Sequence, residues 1–178
     1  MIKVIFLDFD GVLNSKLHFL ANADLPKISA NTLSDADLFQ MKRDVNVNNM
    51  WTLGFILDQV PDLKIVISSA WRLHYDIESF KELFKIFKLD DTRIIGKTPK
   101  KLSSDRSHEI HLWLEEYKEL HHKQVDFIAV DDHVIWNLGD SHKKREVLTD
   151  SWVGLTMHDA FKIIKHFKPE FKEPEMHI

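Results

Sequence analysis

The chain has 178 residues, of which 44% are hydrophobic and 29% are charged, and its formal net charge is −4. This composition excludes a disordered chain, the absence of cysteine excludes disulfides and thiolate metal sites, and the net charge gives no general attraction to nucleic acid. The pattern contains neither a signal peptide nor a membrane-spanning run, so we expect one cytoplasmic domain with a substantial hydrophobic core.

The predicted strands are short apolar runs separated by helical stretches. Residues 2–7, 63–67 and 125–130 are rich in β-branched residues, as is typical of strands buried on both faces of a parallel sheet. Weaker strand candidates are 92–95 and 146–149. Apolar residues recur at helical spacing between these runs. The alternation predicts an α/β protein with a three-layer, doubly wound fold and a mainly parallel sheet, whose ligand site lies beyond the carboxyl ends of the strands.

The rest of the chain completes a single predicted domain that spans residues 1–168. Residues 15–45 show no clean period and are interpreted as a short insertion after the first strand. The final helix is predicted to open at Thr156, because Asp159 stands three residues further on in an acidic variant of the capping box. Residues 169–178 combine prolines with mixed charges, and we expect them to form a loose C-terminal tail.

Two carboxylates follow the first predicted strand. Asp8 and Asp10 stand at positions i and i+2 and therefore project from the same side of the strand end. Two like charges so close together favour a bound cation, and Mg²⁺ prefers such oxygen ligands. Gly11 permits the backbone to turn sharply after them. The alternative is that Asp-x-Asp-Gly is only a turn signal, since both residue types favour turns.

The two other main strands also end in polar residues. Ser68 and Ser69 follow the second strand, and a hydroxyl there could donate a hydrogen bond to a phosphoryl oxygen. Asp131 and Asp132 follow the third and could complete the oxygen shell of a cation. Each group could instead cap the helix that follows it. Three strands that all end in Asp or Ser are hard to explain by capping alone, and they predict one shared site.

A site that holds several acids and a phosphate needs a fixed cation. Arg106 is the first candidate, because it opens the helix before the 125–130 strand and a guanidinium can bind a carboxylate and a phosphoryl oxygen together. The alternative is a surface arginine paired with Glu109 or Asp105. Lys97, Lys100 and Lys101 are the other candidates, since a flexible lysine in that loop could serve the same purpose, and Lys101 is the fallback.

Three residues near Ser68 are predicted to form the rim of this site. Arg72 could bind a second phosphate, Trp71 could stack on a base, and Ser69 lies beside them in the chain. The alternative is a buried tryptophan and a surface ion pair. The rim is therefore a hypothesis about substrate binding and is separate from the chemistry.

In chain order, these residues resemble motifs I to IV of the haloacid dehalogenase (HAD) phosphohydrolase superfamily. The matching positions are Asp8-x-Asp10-Gly11-Val12, Ser68, a basic residue within 97–106, and Asp131-Asp132. The amino-acid sequence around these motifs is also similar to that of the small HAD domains associated with RNA-repair proteins. The similar segments are Leu-Asp-Phe-Asp-Gly-Val-Leu-Asn, Ser-Ser-x-Trp-Arg and Arg-x-x-Glu-Ile-x-x-Trp-Leu. The resemblance implies a HAD Rossmann-like fold.

The resemblance also implies a role for each residue. Asp8 would attack phosphorus to form an aspartyl-phosphate, and Asp10 would protonate the leaving oxygen and then activate water. Ser68 would bind the phosphoryl group, and Arg106 would replace the commoner lysine of motif III, with Lys101 as the fallback. Mg²⁺ would be bound by oxygens of the first and fourth motifs, namely those of Asp8, Asp10 through its backbone carbonyl, Asp131 and the nearby Asp132.

The implied function is hydrolysis of a phosphomonoester. The 15–45 insertion is too short for a full cap domain, which predicts an open site suited to a bulky or polymeric substrate such as a nucleic-acid end or a nucleotide. Two alternatives stay open: a phosphatase of phosphoproteins or small metabolites, and a non-catalytic module that binds phosphate or a partner protein. The intact set of Asp8, Asp10, Ser68 and Asp131 favours an enzyme.

Overall fold

Among the described residues, five parallel strands form a sheet at the centre of the fold. The computed structural model describes residues 1–23, 33–100, 105–135 and 145–175. The strands are β1 (Ile2–Leu7), β2 (Leu63–Ile67), β3 (Ile94–Lys97), β4 (Val125–Asp131) and β5 (Glu146–Leu148), in the spatial order β3-β2-β1-β4-β5. The predicted Rossmann-like α/β fold is confirmed, and every strand pair in the described residues is parallel.

Helices connect the strands. The α-helices of the described residues are α1 (Lys16–Ala21), α2 (Leu33–Asp44), α3 (Val47–Gln59), α4 (Ile77–Ile86), α5 (Arg106–His121) and α6 (Met157–Phe167). Short 3₁₀ helices at Ala70–Leu73 and Asp91–Arg93 follow β2 and precede β3, respectively. Across the described part of the chain, no helix combines the length and the apolar character that crossing a membrane requires.

The sheet is covered on both faces, which explains why its strands are apolar throughout. In β1, Ile5 and Leu7 belong to a large buried cluster with residues of α3, α4 and α6. Val4 and Phe6 belong to a second cluster, in which the Phe6 ring meets Trp113 of α5 edge-on. Alternate residues of a strand point to opposite faces, so burial of both sets produces the predicted three layers.

The strand boundaries differ from the predicted ones at the weaker elements. β1 and β2 coincide with the prediction, and β4 continues one residue further, to Asp131. β3 begins at Ile94 because Asp91–Arg93 forms a 3₁₀ turn that Asp90 caps. β5 is one residue shorter than predicted. Edge strands with a single neighbour carry the weakest apolar signal, so their limits were the hardest to predict.

The predicted insertion at 15–45 contains α1 and α2. Ser15 caps α1 by accepting a hydrogen bond from the backbone amide of His18. Met41 and Val45, at the end of α2, are buried in the large cluster, so this end of the insertion packs into the core. Helices this short or this weakly amphipathic give little periodic signal, which is why the sequence did not predict them.

The C-terminal segment begins as predicted and ends differently. Thr156 and Asp159 form the expected capping box, in which each side chain accepts a hydrogen bond from the other residue's backbone amide. Residues 168–175 form neither helix nor strand. Phe171 nevertheless packs against the core, with its ring 5.9 Å from that of Phe161. Phe171 therefore holds the first part of the expected tail against the core, and residues 176–178 lie outside the described residues.

Candidate active site

The carboxyl ends of the three central strands bring three buried polar side chains to one edge of the sheet. Asp8 follows β1, Ser68 follows β2, and Asp131 ends β4. The backbone amide of Asp8 donates to the carbonyl of Val130 at 3.0 Å, and that of Ser68 donates to the carbonyl of Leu7 at 2.8 Å. The sheet hydrogen bonding therefore continues into the site and fixes where these side chains start.

Arg106 joins the three side chains. Its Nη2 lies 3.5 Å from Asp8 Oδ2, its Nη1 lies 3.5 Å from Ser68 Oγ, and its Nε lies 3.7 Å from Asp131 Oδ2. As the first residue of α5, it is positioned by the cap that Asp105 makes on that helix. The structure therefore brings the first motif III candidate to the strand ends, while Lys101 lies outside the described residues.

Burial makes the Asp8 carboxylate difficult to ionise. The pKa of Asp8 is raised to about 7, and burial is the largest cause; the Arg106 guanidinium lowers the pKa and the charge of Asp131 raises it. The backbone amide of Phe9 donates to Asp8 Oδ1 at 2.7 Å, and the Ser69 hydroxyl also favours the ionised form. Burial likewise raises the pKa of Asp131, again against the effect of Arg106. Burial therefore disfavours the ionised form of both carboxylates.

Asp10 differs from Asp8 because its side chain is exposed and held from one side. The indole Nε1 of Trp71 donates to Asp10 Oδ1 at 2.9 Å, and the amide of Asn14 donates to the same oxygen at 2.8 Å. Asn14 is itself oriented by the backbone amide of Gly11, which donates to its Oδ1 at 3.0 Å. Both donors use Oδ1, and within the described residues no hydrogen bond to Asp10 Oδ2 is found.

The turn after Asp10 is adapted to Asp132. Gly11 has a φ of +70°, and a Cβ there would lie 2.3 Å from Asp132 Oδ2, so a larger residue would be strained and would collide. Thr149 ties the turn to β4, since its hydroxyl donates to the carbonyl of Gly11 at 2.8 Å and its amide donates to that of Asp131 at 2.9 Å.

The acids at the end of β4 also offer a possible metal cluster. One ligand atom each from Asp131, Asp132 and His133 lie within 4.8 Å of one another. The His133 amide donates to Asp131 Oδ1 at 2.9 Å, while its ring contacts Asp132 at the surface. With Asp8 alongside, these residues provide mostly carboxylate oxygens, the ligand type that hard divalent cations prefer.

Comparison with protein-family models matches residues 4–160 to the HAD domain in Swiss Army Knife RNA repair proteins. The chain belongs to this family. The predicted resemblance is therefore confirmed, and membership places the chain in the HAD superfamily of phosphatases and hydrolases, whose members generally use Mg²⁺. Comparisons with curated proteins and with solved structures gave no significant match.

The three predicted rim residues of this HAD domain occupy different positions. Trp71 is partly buried and donates to Asp10, while Ser69 is fully buried beneath it. Arg72 is also buried, and its guanidinium donates to the carbonyls of Thr98 and Ser69 and to Glu109. Burial lowers the pKa of Arg72, which the Glu109 carboxylate opposes. The Arg72 charge is thus committed to internal partners and not to the solvent-facing rim.

Two clefts open at the site of this HAD domain. One, of about 440 Å³, contains the charged groups of Asp8, Arg106 and Asp131. The other, of about 410 Å³, starts at Asp10 and is lined by apolar side chains that the sequence did not single out, among them Phe19 and Trp152. Asn14 and Thr149 were also missed. Asn14 could have been predicted, because its side-chain amide stands four residues after Asp10. Phe19, Thr149 and Trp152 could be recognised as site residues only from the folded structure.

Proposed function

We propose that this HAD domain, spanning residues 1–168, is a Mg²⁺-dependent phosphomonoester hydrolase that acts through an aspartyl-phosphate on Asp8. The observation that carries the proposal is the position of Arg106. Its guanidinium lies within 3.7 Å of Asp8, Ser68 and Asp131, which stand at the ends of three different strands. A planar cation in that position can bind phosphoryl oxygens while it offsets the repulsion between the two carboxylates.

The residues present fit a divalent cation. Asp8 and Asp131 are buried carboxylates whose pKa values burial raises, so a positive charge between them would relieve an unfavourable arrangement. Asp132 and the backbone carbonyl of Asp10 would supply further oxygens, with His133 at the surface edge. Bound Mg²⁺ would offset the charge that develops on the transferring phosphoryl group.

The proposed reaction has two steps. In the first, a carboxylate oxygen of Asp8 forms a bond to phosphorus, the bond from phosphorus to the leaving oxygen breaks, and Asp10 donates its proton to that oxygen. In the second, Asp10 takes a proton from water as the water oxygen attacks phosphorus, and the bond from phosphorus to Asp8 breaks. Inorganic phosphate leaves and both aspartates return to their starting forms.

The substrate we propose is a nucleotide or a nucleic-acid end. Both clefts lie open to solvent in the described residues, so a large ester can bring its phosphate to Asp8. The family takes its description from RNA repair proteins, which supports the same class. Ser68 and Arg106 would bind the phosphoryl oxygens, while the rest of the bound substrate would extend out of the site past Asp10.

The test is release of phosphate from glycerol phosphate and from oligonucleotides phosphorylated at the 3′ or the 5′ end, with Mg²⁺ or with EDTA. We expect turnover that requires Mg²⁺ and that Asp8→Asn lowers by about 1,000-fold or more. Asp62→Asn is the matched control, because Asp62 is an exposed acid paired with Lys3. Turnover that survives Asp8→Asn or EDTA would exclude the mechanism, and a folded protein without turnover would favour a binding module.

A further inference from the structure

The apolar cleft beside Asp10 exposes two large aromatic rings. Phe19 of α1 is 68% exposed and Trp152 is 51% exposed, and both line the cleft together with Leu20. Burying rings of this size is normally favourable, so a pair left open at the mouth of a site is a surface that a ligand can cover. The cleft volume of about 410 Å³ lies within the usual range for small-molecule sites.

The rings are exposed, but the backbone that carries them is fixed. The amides of Lys16 and Leu17 donate to the carbonyls of Ser151 and Trp152 at 2.9 and 3.2 Å, which joins α1 to the turn after β5. Within that turn the Trp152 amide donates to Asp150 Oδ1 at 2.9 Å. The two backbone segments that carry the aromatic residues are therefore joined by main-chain bonds, which do not involve the aromatic side chains.

The cleft also carries a positive charge. Lys16 lines it, and its Nζ lies 5.6 Å from the centre of the Trp152 ring. An anionic group bound beside that ring would be within reach of Lys16, whereas Asp10 and Asp132 border the end of the cleft nearest the chemistry. The cleft therefore offers a flat apolar surface and a cation on the side from which the leaving group departs.

We propose that this cleft is the leaving-group subsite, in which the base of the phosphorylated nucleotide stacks on Trp152 and Phe19 while Lys16 attracts the neighbouring phosphodiester of a strand. The inference rests on the proposed hydrolase activity, and it identifies the leaving group of a nucleotide as the one that the site selects. A nucleotide fits better than a phosphotyrosine side chain, because it combines a flat ring with a second anionic group along the chain, and Lys16 would have no defined partner in a phosphotyrosine. Aromatic stacking accepts every base, so we expect little base preference.

Binding to the full-length Asp8→Asn protein tests the subsite without turnover. Titration calorimetry with Mg²⁺ would compare adenosine 5′-phosphate and adenosine 3′-phosphate with ribose 5-phosphate, which lacks the base. We expect at least one nucleotide to bind about 10-fold or more tightly than ribose 5-phosphate. Trp152→Ala in the same background should remove most of this advantage, and Trp152→Phe should keep much of it. Equal affinities for the nucleotides and ribose 5-phosphate, or no binding of either, would overturn the subsite.

Two controls make the result specific. Trp51→Ala removes another exposed tryptophan, on α3 and outside the residues that line the cleft, and should leave the advantage intact. A phosphotyrosine peptide that binds as tightly as the nucleotides, with the same loss in Trp152→Ala, would overturn the assignment to nucleotides. Hydrolysis of glycerol phosphate by the wild type tests the hydrolase proposal separately from the subsite, because that ester has no ring that could bind in the cleft.

Discussion

The two clefts of the site are built from different parts of the molecule. The charged cleft around Asp8 is lined by strand ends and by the first turn of α5, and its acids Asp8, Glu109 and Asp131 are buried. The apolar cleft is formed by α1 and the turn after β5, and its rings are exposed. Asp8, Ser68 and Asp131 are therefore part of the buried structure, whereas the rings proposed to select the substrate can change without disturbing the core.

The strongest test of this contrast is the buried ion pair behind the charged cleft. Arg72 links the carbonyls of Ser69 and Thr98 to Glu109 in α5, and thereby holds the Ser68 loop against the helix that carries Arg106. Glu109→Ala leaves the guanidinium buried without its partner, so the free energy of unfolding should fall by about 3–5 kcal/mol. Urea denaturation measures this change.

The matched change in the exposed cleft is Trp152→Ala, which should alter the free energy of unfolding by less than about 1 kcal/mol. If the two substitutions destabilise the protein equally, the proposed division between a structural and a replaceable cleft is wrong.

The next largest effect concerns the cation of the charged cleft. Arg106→Ala should lower kcat/KM by about 100- to 1,000-fold for every phosphomonoester, since it removes donors to the phosphoryl group. Arg106→Lys should retain part of the activity as a single point charge. Arg145→Ala is the control, because Arg145 pairs with Asp126 near the start of β4. Near-normal kinetics for Arg106→Ala would move the motif III role to another residue, with Lys101 next in line.

Asp8→Asn should affect activity and stability in opposite directions. The raised pKa of Asp8 means that folding stability is highest when this group is protonated and falls as the pH rises from about 4 through about 7. In EDTA at pH 8, the free energy of unfolding of Asp8→Asn should therefore exceed that of the wild type by about 2 kcal/mol. The variant should accordingly unfold at a higher temperature. At pH 5 the difference should shrink. Thermal unfolding at both pH values checks the sign, and a less stable variant at pH 8 would contradict it.

The smallest effect lies at Asp10, which borders the apolar cleft. Trp71→Phe keeps the ring against Phe9 and Tyr75 but removes the N–H that orients the Asp10 carboxylate. We expect about a 10-fold loss of kcat with glycerol phosphate, whose alkoxide must be protonated, and a smaller loss with p-nitrophenyl phosphate, whose leaving group needs little help. Trp51→Phe is the control. Equal losses on both substrates would mean that Trp71 has only a packing role.

The fold could be predicted because it depends on repeated signals. Apolar strands alternate with helical periods along most of the chain, and parallel strands place their carboxyl ends at one edge, so Asp8, Ser68 and Asp131 could be expected to meet. The insertion could not be predicted in the same way, because α1 is short and the apolar residues of 15–45 follow no clean helical period.

The site was less predictable wherever a side chain had a choice of partners. Arg72 could have faced the solvent, and only the packed structure shows that Glu109 and two carbonyls bind it internally. Trp71 was expected at the rim, and the structure turns its N–H to Asp10. Sequence neighbours fix which residues are near the site, whereas the direction of each long side chain depends on contacts with distant segments.

The parallel sheet, and the edge of it at which Asp8 and Asp131 gather, follow from the amino-acid sequence alone, because burial and strand alternation are local properties of each run of residues. Three arrangements become visible only in the packed molecule: Arg106 lies among the acids, Asn14 and Trp71 share one oxygen of Asp10, and Phe19 and Trp152 line a common cleft. Those arrangements join residues that are far apart in the chain, and the way the separate elements pack fixes the distances between them.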